Sequence, residues 1–526
     1  MTGVADIATW AAGLTFDDIP VDVVARNRDQ RRSVLGSLAA SSRDAAARRV
    51  LAAVDGWATE GPVRLPTGGD RRVSVDDALY GMSALSMALD FDDYVCFGHT
   101  GHSGTLVPVL LAAETGASAG EQLVAQTIAN EVEARLGGAC LVGPLNGQLW
   151  SFIHAAGAAL AAGRLLGLDA GRLSHALAIA LYQAPRATVP GFMAPDSKLL
   201  TAAEPTAIGL RAARLAAAGV TGPLDTLEHP EGFLSAFADA PLPGMLAGLG
   251  TGWATRTLCV KPYPGCAYLD TTVDALLELG PPSAADVDSV VVEASVLTWE
   301  MNRMSGRYAA IGGRTVPTPV TINFSVPWNV AVTLLAGELT PKQVEVGWLA
   351  EHAAELAQLA GRVRLQHDWS LTRLTTESFA GVVPFGRVTR EAGVGRLAAR
   401  GRRMRKSEDV GPGTSKGGEL RGMRQLVWPP PDLKAFSASR PFWEPAAVDT
   451  FSMTFPARVR VIAKDGSERV AMCATPRGGA GHQAEGPEPV SRAKLAAWGP
   501  WLWGEDGTEA LAKAVDTDAD DLWRLL

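Results

Sequence analysis

At 526 residues the chain is longer than one hydrophobic core normally supports, so two domains are expected. An apolar fraction of 47% and a charged fraction of 20% belong to a globular protein and exclude a disordered one. The net charge of −8 argues against general nucleic-acid binding, which needs cations matched to phosphates.

The first residues, "MTGVADIATWAAG", lack the basic-then-apolar pattern of an export signal, and no apolar run approaches the roughly 20 residues of a membrane span. A cytoplasmic protein without membrane contact is the expectation. Cys96, Cys140, Cys259, Cys266 and Cys473 are odd in number and never spaced C-x-x-C, which reads as reduced thiols with no zinc site. There is no G-x-G-x-x-G after a strand, no Walker loop and no H-E-x-x-H. Neither metal nor nucleotide cofactor is expected.

Ser74 with Asp77 three residues on resembles a helix start, and Leu79, Met82, Leu85 and Leu89 follow at helical spacing. Where that helix should end lies "DFDDYVCFGHTGHSG" (90–104), with Asp90, Asp92, Asp93, His99 and His102 crowded against apolar runs. Ser118 with Glu121 opens another helix that Gly137 and Gly138 are expected to close. Segments 154–168 and 197–219 carry small residues on almost every face and belong in a tightly packed helical interior. After about residue 258 the pattern changes. Val290, Val292, Ala294 and Val296 alternate as one face of a strand, residues 339–360 read as a helix with Pro341 in its first turn, and Asp465-Gly466 marks a hairpin. Residues 370–450 are basic, glycine-bearing and weakly periodic, and read as a solvated insertion or disordered loop. The final "DADDLWRLL" returns to helix. The fold expected is mainly α with a second α+β domain: an all-helical domain over 1–258 and 490–526, and an α+β domain over 259–489.

Five segments in series carry a family resemblance: "DFDDYVCFGHTGHSG", "GQLWSFIHAAGAALAAGRLLGL", "SKLLTAAEPTAIG", "CVKPYPGCAYLDTTVDALLEL" and "TPVTINFSVPWNVAVTLLAGELT". Their order and spacing resemble the MmgE/PrpD family, which includes 2-methylcitrate dehydratase, cis-aconitate decarboxylase and related isomerases. The resemblance implies a helical domain plus an α+β lid, a homodimer, and lyase or isomerase chemistry on a small molecule without a cofactor. The family's D-F-D-D-T…H-P-S motif is similar to Asp90–Ser103, with Tyr94 in place of threonine and either His99 or His102 as the family histidine. Gln148 stands at another histidine position and Trp150 at a threonine position. Ser197–Ala203 resembles T-K-[PR]-[LF]-H-A-G, keeping Lys198 and placing Thr201 where histidine is usual. K-P-Y-P-S-C matches Lys261–Cys266, with Asp270 where a further histidine often lies, and F-S-[LI]-P-Y becomes Phe324–Trp328.

Titratable groups are thus exchanged for glutamine and tryptophan while two lysines remain. Eliminating water or carbon dioxide needs a base, an acid and cations for carboxylates, and histidine suits the proton step because its pKa lies near neutrality. The resemblance implies Lys198 and Lys261 as anchors of an anionic head group. It implies His102 or His99, oriented by Asp90 or Asp93, as the proton carrier, and Tyr94 as a donor to oxygen. Gln148, Trp150, Thr201, Cys266 and Trp328 would line the substrate space, with the tryptophans as an apolar wall. His154, in an alanine-rich helix, reads as a satisfied core histidine, and Cys266 as a buried thiol rather than a nucleophile. The exchange favours a remodelled enzyme that isomerises or cyclises an enolisable, anionic intermediate of specialised metabolism. The alternatives are a lyase for a small polycarboxylate and a non-catalytic binding protein on the same scaffold.

Overall fold

The structure is a computed structural model and describes residues 2–67, 69–145, 147–280, 283–309, 317–407 and 440–526. The chain is mainly helical with a smaller α+β part. At its centre lies the Ser151–Leu165 helix, buried from Ser151 to Gly163 and packed by Leu200–Ala217, Ala119–Ala139 and Ala170–Tyr182. The alanines and glycines of these segments explain the crowding, because only small side chains let helix backbones approach so closely. A Cβ added at Gly209 would lie 2.5 Å from Ala158 Cβ and 2.9 Å from the Ala159 nitrogen. Among the described residues no helix is long and apolar enough to cross a membrane.

The capping signals locate helix starts well. Ser74 accepts from the Asp77 amide, and Ser118 and Glu121 form a reciprocal capping box. Gly137 and Gly138 do not close the second helix, which continues to Ala139. They are points of close approach instead: the Trp150 ring covers Gly137, where a Cβ would meet it at 2.6 Å, and Met245 covers Gly138.

Strand Leu258–Val260 pairs antiparallel with Asp93–Val95, setting Tyr94 opposite Cys259. A four-stranded sheet follows, in the order Val363–His367, Val287–Ala294, Ala457–Ala463, Glu468–Cys473, with the first pair parallel and the others antiparallel. Val290, Val292 and Ala294 share its buried face, while Val296 already belongs to the next helix, Val296–Ala309. The hairpin turn lies at Asp465-Gly466, with Gly466 at φ 83°. Helices Pro487–Trp498 and Pro500–Asp516 return to pack on Val21–Ser41.

Two expectations are corrected. Residues 339–360 form two short helices, Val346–Glu351 and Ala353–Ala360, because the Gln343 side chain accepts from the Thr340 amide and holds the Pro341 region in a turn, and because His352 leaves the helical region. Parts of 370–450 are ordered helix: Trp369–Ala380, Phe385–Ala392, Val394–Ser407 and Pro445–Asp449. Val382, Val388, Phe442 and Trp443 bury their side chains in the same core as the helical body, which a solvated loop would not do. Residues 408–439 lie outside the described residues. The closing stretch contributes one short turn, Leu522–Arg524.

Gly209→Ala should overpack the junction of the two central helices and lower stability by about 1–3 kcal/mol, read as a fall in the urea midpoint with unchanged slope.

Candidate functional site

The acidic stretch makes two sharp reversals. Asp90 (φ 53°) and Cys96 (φ 52°) both hold left-handed backbone, which costs about 1–3 kcal/mol in a non-glycine residue and persists only where surroundings enforce it. Around Asp90 the surroundings are explicit. Lys198 Nζ donates to its Oδ2 at 3.0 Å, and Lys261 Nζ donates to its Oδ1 at 2.7 Å and to its backbone carbonyl at 3.0 Å. Gln148 Nε2 donates to Oδ1, and the Gly265 amide donates to the Asp90 carbonyl at 3.2 Å. Both ammonium groups are fully buried.

Between the two reversals the extended chain sends alternate side chains to opposite sides. Asp92 faces the lysines: Lys261 Nζ lies 2.5 Å from its Oδ1, while its Oδ2 is 2.6 Å from His99 Nδ1 and 3.0 Å from His102 Nε2. Asp93 points the other way, into the helical body, where Gln30 Nε2 donates to it at 2.9 Å. Gln30 also donates to Thr100 and Asn130, so Asp93 belongs to a structural network behind the site.

A cleft enclosing about 800 Å³ of atom-free space, part of it open to solvent, lies against this cluster. Asp90, Tyr94, His99, Gln148, Trp150, Lys261 and Cys266 all line it. His102 does not. It is buried behind Asp92, with Ser86 Oγ 2.7 Å from its Nδ1, so it positions Asp92 while His99 faces the cleft. Lys198 sits just behind Asp90, 5.2 and 4.8 Å from the Phe192 and Phe324 ring centres. With the Asn323 amide turned so that its nitrogen donates to the Pro319 carbonyl, its oxygen accepts from Lys198 Nζ at 2.6 Å. Two residues fall elsewhere. Trp328 packs against the buried cluster that includes Leu89, Phe91, Tyr263 and Ala331, while Val326 in the same first turn belongs to the cluster on the cleft side with Phe192 and Phe324. Thr201 is buried among the helices at the start of Leu200–Ala217 and is not among the lining residues.

The electrostatics follow from burial and pairing. Burial works to raise the Asp90 and Asp92 carboxyls, but the ammonium groups outweigh it and hold both below the usual carboxylate range, Asp92 furthest. Burial lowers His99, opposed by Asp92 and assisted by Lys261, so its imidazole is neutral near pH 7. The Cys266 thiol is pushed up to about 12 by burial and then by the Asp90 charge, which makes it inert, and burial raises the Tyr94 phenol well above its ordinary value. His154 is a buried core residue whose Nδ1 lies 2.8 Å from Ser103 Oγ.

An ammonium has three donors. Lys261 donates twice to Asp90 and lies in ion-pair contact with Asp92. It keeps two carboxylates charged and in place. Donor atoms of Asp90, Asp92 and His99 come within 4.8 Å of one another, a spacing that could hold a cation. The ammonium groups already take the same carboxylate oxygens, so a metal ion would have to displace a lysine.

Some participants were not singled out from sequence. Asp92 was named in the acidic stretch but not as a site residue. Lys494, about 400 positions away, donates to the Phe91 carbonyl and to Ser33 Oγ at 3.2 Å, and burial lowers it to about 7. Its signal was available: it lies on the same buried helix face as Val490, Leu495 and Trp498.

The chain matches two family models, the MmgE/PrpD N-terminal domain over residues 5–244 and the MmgE/PrpD C-terminal domain over residues 263–407. It belongs to the MmgE/PrpD family. Two curated cis-aconitate decarboxylases of Aspergillus terreus, one from strain NIH 2624 / FGSC A1156, are each 27% identical over 296 residues, covering 52% of this chain. The matched region spans 59% of the length of these relatives.

Lys261→Met should take the ammonium from buried Asp92 and leave Asp90 with Lys198 alone, destabilising the fold by about 3–5 kcal/mol, seen as a large drop in the denaturant midpoint at pH 7.

Proposed function

We propose that this MmgE/PrpD chain is an enzyme of the lyase and isomerase type, and that it moves a proton at a carbon next to a carbonyl or carboxylate group. The observation that carries the reading is the 2.6 Å contact between Asp92 and His99 at the wall of the cleft. Asp92 accepts from Nδ1–H, which fixes the tautomer and leaves the Nε2 lone pair to serve the cleft. His99 Nε2 takes the proton from the substrate carbon, the electron pair stays on the substrate as an enolate, and Asp92 stabilises the imidazolium. Return of that proton to another carbon isomerises the substrate or accompanies ring closure. Its delivery to a leaving oxygen completes an elimination.

A neutral imidazole without a proton on Nε2 begins as an acceptor. Proton abstraction therefore fits better than decarboxylation, whose carbanion needs a donor from the start. On this ground we favour isomerisation or cyclisation of an enolisable intermediate. The second reading, a lyase for a small polycarboxylate, draws on the printed name of the Aspergillus relatives. Incubation with cis-aconitate, citrate and 2-methylcitrate separates the two, and ready turnover of any of them would overturn the favoured one.

Deuterium wash-in from D₂O into a panel of 2-oxo acids, followed by NMR, tests the proton transfer itself. His99→Gln should lower the exchange rate by about 10²–10⁴-fold with an unchanged circular dichroism spectrum. Since His99 acts as a base with its pKa below the ordinary value of about 6.5, the rate should be flat above that pH and fall only on acidification below it. A limb that keeps rising between pH 7 and 9 would assign the base to another group.

A further inference from the structure

The charged corner of the cleft is closed on itself. Asp90 and Asp92 supply two negative charges, Lys198 and Lys261 two positive ones, and His99 is neutral. No other lysine or arginine is among the described residues lining the cleft. A substrate with several carboxylates would have to shed their hydration against a site with no spare cation, which is strongly unfavourable.

Among the described residues lining the cleft, the Gln148 amide oxygen and the Tyr94 hydroxyl are buried without a hydrogen-bond partner. Gln148 is more than nine-tenths buried, its Nε2 is committed to Asp90, and its Oε1 has no hydrogen-bond partner. A buried acceptor of this kind lacks an O–H or N–H, which a ligand in the cleft can bring. Away from the charged corner and the Tyr94 and Tyr268 hydroxyls, the described lining is apolar and aromatic. Phe97 meets the Trp150 ring edge-on at 6.4 Å, Tyr268 meets Phe455 at 4.6 Å, and the Trp150 indole N–H is taken by the Leu145 carbonyl. At the mouth, the Val296–Ala309 helix places Leu297, 38% exposed, and half-buried Met301.

We propose that the cleft takes a largely apolar substrate with a single enolisable head, of the class of aryl- or alkyl-bearing 2-oxo acids and their enols. His99 takes the carbon-bound proton and returns it to the enolate oxygen, the O–H of the neutral enol so formed donates to Gln148 Oε1, and the apolar body lies along the aromatic wall. Met301 at the mouth sets the preference for an uncharged body. This substrate class rests on the proton-transfer reading of the same cleft.

Phenylpyruvate and oxaloacetate form a matched pair for the test: both are enolisable 2-oxo acids, and they differ in carrying a phenyl ring or a second carboxylate. Isothermal titration of the full chain should show phenylpyruvate binding at least about tenfold more tightly. Met301→Lys, a change at a half-exposed position, should shrink or invert that ratio by placing an ammonium at the mouth. Equal or tighter binding of oxaloacetate, or no binding of either compound at millimolar concentration, would overturn the substrate class. His99→Gln keeps the two hypotheses apart. It should retain the phenylpyruvate preference while losing deuterium exchange. Preference without exchange in the unmodified chain would sink the base role and leave the substrate class standing. Exchange with oxaloacetate favoured would do the reverse.

Discussion

Asp90 is the pivot of this structure. Its carboxylate is buried, its backbone is left-handed, and two ammonium groups from sites 108 and 171 residues away meet on it. The helical body supplies Lys198 and the segment after Leu258–Val260 supplies Lys261, so one side chain joins the two parts of the chain at the cleft wall. Removing either ammonium leaves charge in a place that water does not reach. The pairing therefore fixes the conformation of the acidic stretch, and with it the positions of Asp92 and His99.

A second polar layer backs the first. Lys494 donates to the Phe91 carbonyl and lies 3.9 Å over the Phe91 ring, while Ser37 also donates to that carbonyl. Gln30 and Asn130 hold Asp93 and Thr100. Burial and the Asp92 charge raise Asp93 to about 6, so it is readily neutralised where a charged carboxylate would be costly. The cleft side of the stretch carries ion-paired carboxylates, and on the body side Asp93, at about 6, and Lys494, at about 7, both titrate near neutrality. Each face of one short extended segment thus has its own electrostatic character.

The sequence made the fold class legible because helical periodicity, small-residue stripes and alternating valines are local patterns. The clustering of Asp90, Lys198, Lys261, His99 and Gln148 became legible only through the family resemblance, since nothing local ties residue 90 to 198 or 261. Which aspartate faces the cleft was not legible. The parity of a strand depends on where it begins, and here that is set by pairing with Leu258–Val260. Gly137 and Gly138 misled for a related reason: a glycine pair looks the same in sequence whether it ends a helix or admits a tryptophan and a methionine. Trp328 was assigned to the wall by motif position, but a residue in the first turn of a helix faces wherever the packing of that helix turns it. The 370–450 segment hid its core residues, Val382, Val388, Phe442 and Trp443, among basic ones.

The environment of His99 also constrains the chemistry it can perform. Asp92 would make the imidazole more basic, but burial outweighs it and Lys261 opposes it further. Asp92 also divides its Oδ2 between two imidazoles, His99 and His102. On the proposed reading, the result is a base held in its neutral form and weaker than free histidine. Brønsted behaviour then limits it to carbon acids whose conjugate base is well delocalised, because a weak base cannot drive transfer from an unactivated carbon. A carbon beside a ketone meets that condition far better than one beside an ionised carboxylate, whose negative charge resists a second. Under the proposed reading, the weakness of the base and the charge balance of the cluster both favour a substrate activated by a carbonyl group and carrying little charge of its own.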